Sequence, residues 1–190
     1  MPPEGESGPA HERALLERIV EGDREAFRAL YVAYHKRLGR FLLRFLRRRE
    51  VIEEVINDTM YAVWCKAADF RGDSQLSTWI FGIAYRKALK AVRKDSRDPT
   101  VDPALDIEVP VPLHDPEAQQ RELRQCLDRA LATLPAPQRI VIELAYFVGH
   151  SCEEIATITT TPVNTIKTRM FHARERLRAL LPELRQGDFR

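Results

Sequence analysis

Thr165, Lys167, Thr168, Arg169, Phe171, His172 and Arg174 lie on one side of a segment with helical periodicity. The set combines positive charge, hydroxyls and an aromatic ring outside any apolar stripe. Cations suit phosphates, while hydroxyls and apolar groups suit base edges, so this is the chemistry of a helix that reads duplex DNA. The opposite side carries Val163, Ile166, Met170, Ala173, Leu177 and Leu180 at spacings of three and four, one buried stripe on a 3.6-residue period. Upstream, Ser151 and Glu154 form a capping box, which predicts the start of a shorter preceding helix. The stretch 151–181 reads as a helix-turn-helix.

A second polar set lies earlier in the chain. Asp69 to Thr78 reads as a loop, with Gly72 and Asp73 supplying the turn. It presents Arg71, Asp73, Ser74 and Gln75 and leads into a helix from Trp79 to about Lys94. That helix begins apolar all round and ends basic, with Arg86, Lys87, Lys90, Arg93 and Lys94. Trp79 and Phe81 fit a protein core, and aromatics beside a polar loop and a basic helix also fit the stacking of single-stranded bases.

The elements that must hold these sets are all helical. His11 to Glu21 reads as a short amphipathic helix closed by Gly22, and Asp23 caps the next, which is expected to run to about Arg49. Its apolar stripe is Phe27, Leu30, Tyr31, Tyr34, Leu38, Phe41, Leu42 and Phe45. Between them sit Lys36, Arg37, Arg40, Arg44, Arg47, Arg48 and Arg49 with no acid among them, a face that suits a polyanion or an acidic partner. Charge then reverses along a helix ending near Ala68, with Glu50, Glu53, Glu54 and Asp58. Its apolar residues Val51, Ile52, Val55, Ile56, Met60 and Val63 spread over more than one face, which predicts cover from a partner protein. Asp95 to Glu117 is rich in proline and acid and reads as an extended linker. A second helical domain is expected from Asp115-Pro116, with Leu123, Cys126, Leu127, Ala130, Leu131 and Leu134 as its first stripe. Pro135-Ala136-Pro137 then opens a helix that Gly149 closes. No strand-like alternation appears. The fold class is all-α: two helical domains joined by an acidic, proline-rich linker, the second containing the helix-turn-helix.

Composition narrows the function. A net charge of +2 over 190 residues says little about partners as a sum; the distribution of charge says more. Cys65, Cys126 and Cys152 stand singly, without metal-ligand spacing, and no nucleotide-binding, nucleophile-elbow or zinc-protease motif occurs. No enzyme and no cofactor is predicted. No apolar run is long enough to span a membrane and no signal peptide is legible in Met1 to Pro9, which predicts a cytoplasmic protein.

Several stretches carry a specific resemblance. FRGDSQLSTWIFGIAYRKALKAVRK, Phe70 to Lys94, resembles the loop and DNA-binding helix of region 2 in bacterial sigma factors of the extracytoplasmic-function class. EEVINDTMYAVWCKAADF resembles the adjoining helix that docks on the core polymerase clamp. LPAPQRIVIEL and SCEEIATITTTPVNTIKTRMFHARERLR resemble region 4, with EEIA and TIKTR at its strongest markers. The match runs from about residue 23 to 181 in the family's order.

The resemblance implies region 2 over residues 11–95, a flexible linker over 96–115 and region 4 over 116–185. It implies core polymerase binding through Glu53, Glu54, Ile56, Asn57, Asp58 and Met60. The loop Arg71 to Ser77 would hold a flipped base of the −10 element, with Trp79 beside it and Lys87, Lys90 and Arg93 on the backbone. The recognition helix would read the −35 element, and an anti-sigma factor is the expected regulator. A helix-turn-helix regulator acting on duplex DNA without joining polymerase is the alternative. Thr160 stands where relatives usually have glycine in the helix-turn-helix turn. A β-branched residue is poor at positive φ, so the turn is expected to be reshaped rather than left-handed there. His172 stands where arginine is common and gives up one strong guanine or phosphate contact. Promoter elements roughly 50 Å apart exceed the ~25 Å mean span of a coil of about twenty residues but not its ~70 Å extended reach. The linker must therefore be drawn out, and its acidity points to a basic nucleic-acid channel of polymerase as the holder.

Overall fold

The computed structural model describes residues 8–44, 46–95 and 127–180, and the linker and both chain ends lie outside that set. Two compact units form, the first on Met1–Leu105 with Thr157–Thr160 and the second on Asp106–Ala156 with Thr161–Arg190. Every regular element among the described residues is helical.

In the first unit α1 spans Pro9–Val20, α2 Arg24–Leu42, α3 Arg49–Lys66 and α4 Leu76–Asp95, with a 3₁₀ turn at Ala67–Asp69. Helix α1 ends in a Schellman motif: Asp23 N–H reaches Arg18 C=O at 3.0 Å and Gly22 N–H reaches Ile19 C=O at 2.9 Å. Gly22 supplies the left-handed residue that this motif needs, at φ 87°. Asp23 then caps α2, its Oδ1 accepting from Glu25 N–H at 2.8 Å and Ala26 N–H at 3.1 Å. Leu15, Leu16, Ile19, Leu30, Tyr34, Leu38, Phe41, Leu42, Ile80, Phe81 and Ala84 close the core. Phe81 lies edge-on to Phe41 at 5.3 Å between ring centroids.

Three features of this unit differ from the sequence-based expectation. Helix α2 stops at Leu42, not near Arg49, because Leu46 is drawn into the core and like charges four residues apart oppose a further turn. Arg47 and Arg48 therefore lie in a connection, and Arg49 opens α3. Helix α3 buries Ile52, Val55, Ile56, Thr59, Met60 and Val63 on one face within the unit, so the unit's own core covers most of its apolar stripe, with Val51 left half-buried. Helix α4 starts at Leu76, three residues early, because Leu76, Ser77 and Thr78 are buried as its first turn.

In the second unit the helical residues 127–132 (α5) bury Ala130 and Leu131, and Leu134 follows them into the core. Its predicted start at Asp115-Pro116 lies outside the described residues. Helix α6, Ala136–Ile142, runs directly into a π-helical segment, Glu143–Val148, which ends at left-handed Gly149. The helix-turn-helix follows as α7, Cys152–Thr159, and α8, Val163–Leu180.

Candidate nucleic-acid interfaces

Helix α8 is aimed by the two ends of α7 and by its own underside. The capping box at α7 forms as expected: Ser151 N–H donates to Glu154 Oε2 at 2.8 Å and Glu154 N–H to Ser151 Oγ at 3.2 Å. At the other end of α7, Thr161 N–H reaches back to Ala156 C=O at 3.0 Å with Thr160 at φ 52°. The expectation of a reshaped turn at Thr160 is therefore overturned. Closing this long bond requires a left-handed residue, and the bond holds a threonine there against its steric preference. Ile166, Met170 and Ala173 are buried under α8, while Leu180 is exposed, so the predicted stripe stops short of the helix end.

The face of α8 turned to solvent contains the predicted set. Phe171 is 59% exposed, an arrangement that costs apolar hydration unless something covers the ring. His172 meets it edge-on at 5.5 Å, and Lys167, Thr168 and Arg174 are exposed beside them. Thr165 and Arg169 are half-buried. Three side chains on this face are already tethered. Lys167 Nζ lies 3.8 Å from Glu153 of α7, Thr168 Oγ1 donates to Asn164 C=O at 2.9 Å, and Arg174 Nε donates to the Tyr146 hydroxyl at 2.9 Å. Neither Glu153 nor Tyr146 was marked by the sequence, since each acts across a helix boundary.

In the first unit the loop between the 3₁₀ turn and α4 occupies residues 70–75, with Gly72 left-handed at φ 77°. Arg71, Asp73 and Gln75 are exposed, and Ser74 is half-buried. Trp79 is half-buried against Phe70 at 5.3 Å between ring centroids, whereas Phe81 is wholly core. A cavity of about 340 Å³ lies under the loop, lined by Pro9, Glu12, Ala33, Arg37, Gln75 and Ser77. Its floor is a polar network. Glu12 accepts from the Tyr34 hydroxyl at 2.8 Å and from Arg37 at 3.2 Å, and the Arg37 guanidinium sits 4.7 Å from the Tyr34 ring centroid. Burial and the Glu12 carboxylate push the Tyr34 phenol well above its ordinary pKa. The network also corrects the reading of the α2 cations as uncompensated, because α1 brings Glu12 to Arg37. Of the predicted loop residues Gln75 and Ser77 line the cavity, whereas Arg71, Asp73 and Ser74 do not; Glu12 comes from a helix some sixty residues earlier in sequence, and no local pattern marks it.

The acidic helix α3 is partly tied down by α2. His35 Nε2 and Glu53 Oε2 are 2.9 Å apart, and the Tyr31 hydroxyl donates to Asn57 Oδ1 at 2.8 Å. Glu54, Asn57 and Asp58 are exposed, but Ile56 and Met60 are buried in the unit's own core. Direct polymerase contact by Ile56 and Met60 is thereby corrected: they point inward on the stripe that anchors α3. Tyr61, at 69% exposure, is an apolar surface group that the stripe pattern missed. Between α3 and α4 a groove of about 560 Å³ is walled by Glu50, Glu54 and Asp58 on one side and Lys87, Lys90 and Lys94 on the other. Lys87 crosses it to Asp58 at 3.1 Å, and Arg93 is exposed beyond its rim.

Among the described residues no cluster of His, Cys, Asp and Glu could hold a metal, and no helix is long and apolar enough to cross a membrane. A helical unit with a polar loop and a charged groove is thus followed in the chain by a unit that carries a helix-turn-helix. Comparison with known proteins agrees: the sigma-70 region 2 family profile matches residues 30–98 and the sigma-70 region 4 profile matches residues 124–177. The RNA polymerase sigma-H factor of Pseudomonas aeruginosa is 32% identical over 188 residues, 93% of this chain and 97% of that protein. The ECF RNA polymerase sigma-E factor of Escherichia coli K12 is 31% identical over 174 residues, 86% of this chain and 91% of that protein. Among solved structures, CnrH in complex with the cytosolic domain of CnrY superposes with TM-score 0.66 at 25% identity, covering 90% of this chain and 97% of that one. The Bartonella quintana sigma factor RpoE, solved with the anti-sigma factor NepR, gives TM-score 0.63 at 27% identity, covering 82% and 96%. The chain belongs to the extracytoplasmic-function sigma factors of the sigma-70 family.

Proposed function

We propose that residues 11–95 bind core RNA polymerase and open the −10 element, that residues 116–185 read the −35 element, and that 96–115 links them. The exposed Phe171 ring, set among Lys167, Thr168 and His172 on a helix whose other face is buried, carries the upstream assignment. An unburied aromatic beside cations and hydroxyls costs hydration when free and gains apolar contact on a base edge. Thr165, Arg169 and Arg174 flank it on the same helix. In the first unit Glu53, Glu54, Asn57 and Asp58 form the polymerase-facing acidic surface. Arg71, Asp73, Ser74, Gln75 and Trp79 receive the displaced base above the Glu12–Arg37 cavity, with Lys87, Lys90 and Arg93 on the strand's phosphates. Extruding a base costs a few kcal/mol of unstacking, which stacking and hydrogen bonds in such a pocket repay. Opening is thus driven by binding, with no hydrolysis and no enzymatic step, in the cytoplasm where polymerase works. The superposing RpoE of Bartonella quintana was solved with the anti-sigma factor NepR, and CnrH with the cytosolic domain of CnrY; an anti-sigma factor is the expected regulator here.

Reconstituting core polymerase with the full chain and measuring promoter-dependent transcription tests the reading. Alanine at Asp73 and Gln75 should impair opening more than duplex binding, and a pre-melted template should restore activity. Equal impairment on duplex and pre-melted templates removes the loop assignment. Tight operator binding by the free chain, without effect on core polymerase, would overturn the proposal in favour of an ordinary duplex-binding regulator.

A further inference from the structure

Arg174 is held from outside its own helix. Its Nε donates to the Tyr146 hydroxyl at 2.9 Å, and its guanidinium carbon lies 5.7 Å from the centre of the Tyr146 ring. The two residues are 28 apart in sequence and meet because α6 packs on α8. The π-helical segment sets the angle. Ile140, Val141, Ile142, Glu143 and Leu144 are consecutively buried, and the wider turn that begins at Glu143 then brings Tyr146 and Phe147 to the surface, 45% and 52% exposed. A guanidinium has five N–H groups in a rigid fork. With Nε occupied by Tyr146, both terminal NH₂ groups stay available for a phosphate. Arg174 lies three residues beyond Phe171, on the same side of α8.

The geometry points to Tyr146 as a positioning residue for DNA recognition: it pre-sets the Arg174 guanidinium so that the terminal nitrogens meet a backbone phosphate beside the −35 element. The inference rests on the reading of α8 as the upstream contact. A long side chain that is already restrained loses less freedom on binding. This role depends on the phase of the π-helical segment and not on a local sequence motif.

The test uses holoenzyme reconstituted from core RNA polymerase and the full chain, with binding to promoter duplex measured across a series of salt concentrations. Tyr146→Phe keeps the ring and removes the hydroxyl. It should weaken binding about two- to tenfold, the effect of one unrestrained long side chain, at an unchanged salt slope because the phosphate contact still forms. Arg174→Ala should weaken binding further and reduce the salt slope by about one. In the Arg174→Ala background, Tyr146→Phe should add nothing. If Tyr146→Phe is neutral while Arg174→Ala is not, the positioning role is overturned and the upstream reading stands. If Arg174→Ala changes neither affinity nor slope, the upstream role of Arg174 fails and the inference fails with it. An equal loss from Tyr146→Phe in both backgrounds also overturns it, since Tyr146 then acts on the fold or on DNA directly.

Discussion

Helices α1 and α7 both end in a turn closed by the same long bond, Asp23 N–H to Arg18 C=O and Thr161 N–H to Ala156 C=O, and the two turns fill the left-handed position differently. After α1 the residue is Gly22 at φ 87°, which the backbone adopts at no steric cost. After α7 it is Thr160 at φ 52°, where a β-branched side chain opposes the same geometry. The difference extends to the sites. The first unit offers a loop over a cavity and a groove, each crossed by an ion pair: Glu12 with Arg37 in the cavity and Asp58 with Lys87 in the groove. The second offers a convex helix whose most prominent group, Phe171, is bare. A concave site suits an extruded base, and a convex helix suits a groove of duplex. The contrast fits the proposed division of opening and reading between the two units.

The contrast can be broken at four points. Phe81→Ala, at a ring wholly buried between α2 and α4, should cost about 3–5 kcal/mol and unfold the first unit. Calorimetry should then show the second unit's transition in place; loss of both transitions together would mean the units are not independent. Phe171→Ala should weaken upstream-element binding by about 1–3 kcal/mol, with little change on scrambled duplex. Equal losses on both DNAs would mean that the ring only packs. Thr160→Gly should instead stabilise the second unit by about 1–2 kcal/mol, relieving the left-handed threonine, and would be read as a higher denaturant midpoint. A null or opposite result would show that threonine contacts offset the strain. The smallest effect concerns pH. The Ala26 N–H bond first, and then Arg18, hold the Asp23 carboxyl below its ordinary 3.8. Because the folded value is the lower one, its stabilisation is full above about pH 4 and is lost as pH falls through the folded pKa. Asp23→Asn should flatten that part of an acid denaturation series; an unchanged series would remove Asp23 from the account.

The sequence made the helices and the recognition face legible because both depend on local signals. The Asp23 cap, the Ser151–Glu154 box and the Ile166–Met170–Ala173 stripe are each written within a few residues. What escaped depends on residues far apart. Glu12 beneath the loop, Tyr146 on Arg174 and Glu153 beside Lys167 required the packing of separate helices. The end of α2 is not legible because its apolar pattern continues past Leu42, whereas burial of Leu46 and crowded positive charge decide the stop. At Thr160 the intrinsic preference was read correctly and still lost, because the geometry linking two packed helices outweighs it by more than the ~1–2 kcal/mol at stake.

The ion pair between Asp58 and Lys87 has a practical consequence for mutational scanning. It joins a residue assigned to polymerase with one assigned to the promoter strand, across a single 3.1 Å contact. Removing Asp58 alters the protein surface and also releases a cation for phosphates, so the two changes push a transcription readout in opposite directions. A neutral phenotype at Asp58 would then be a cancellation and not evidence of an idle residue. Separating the halves requires core affinity and promoter affinity to be measured on the same variant, one without DNA and the other with polymerase saturated.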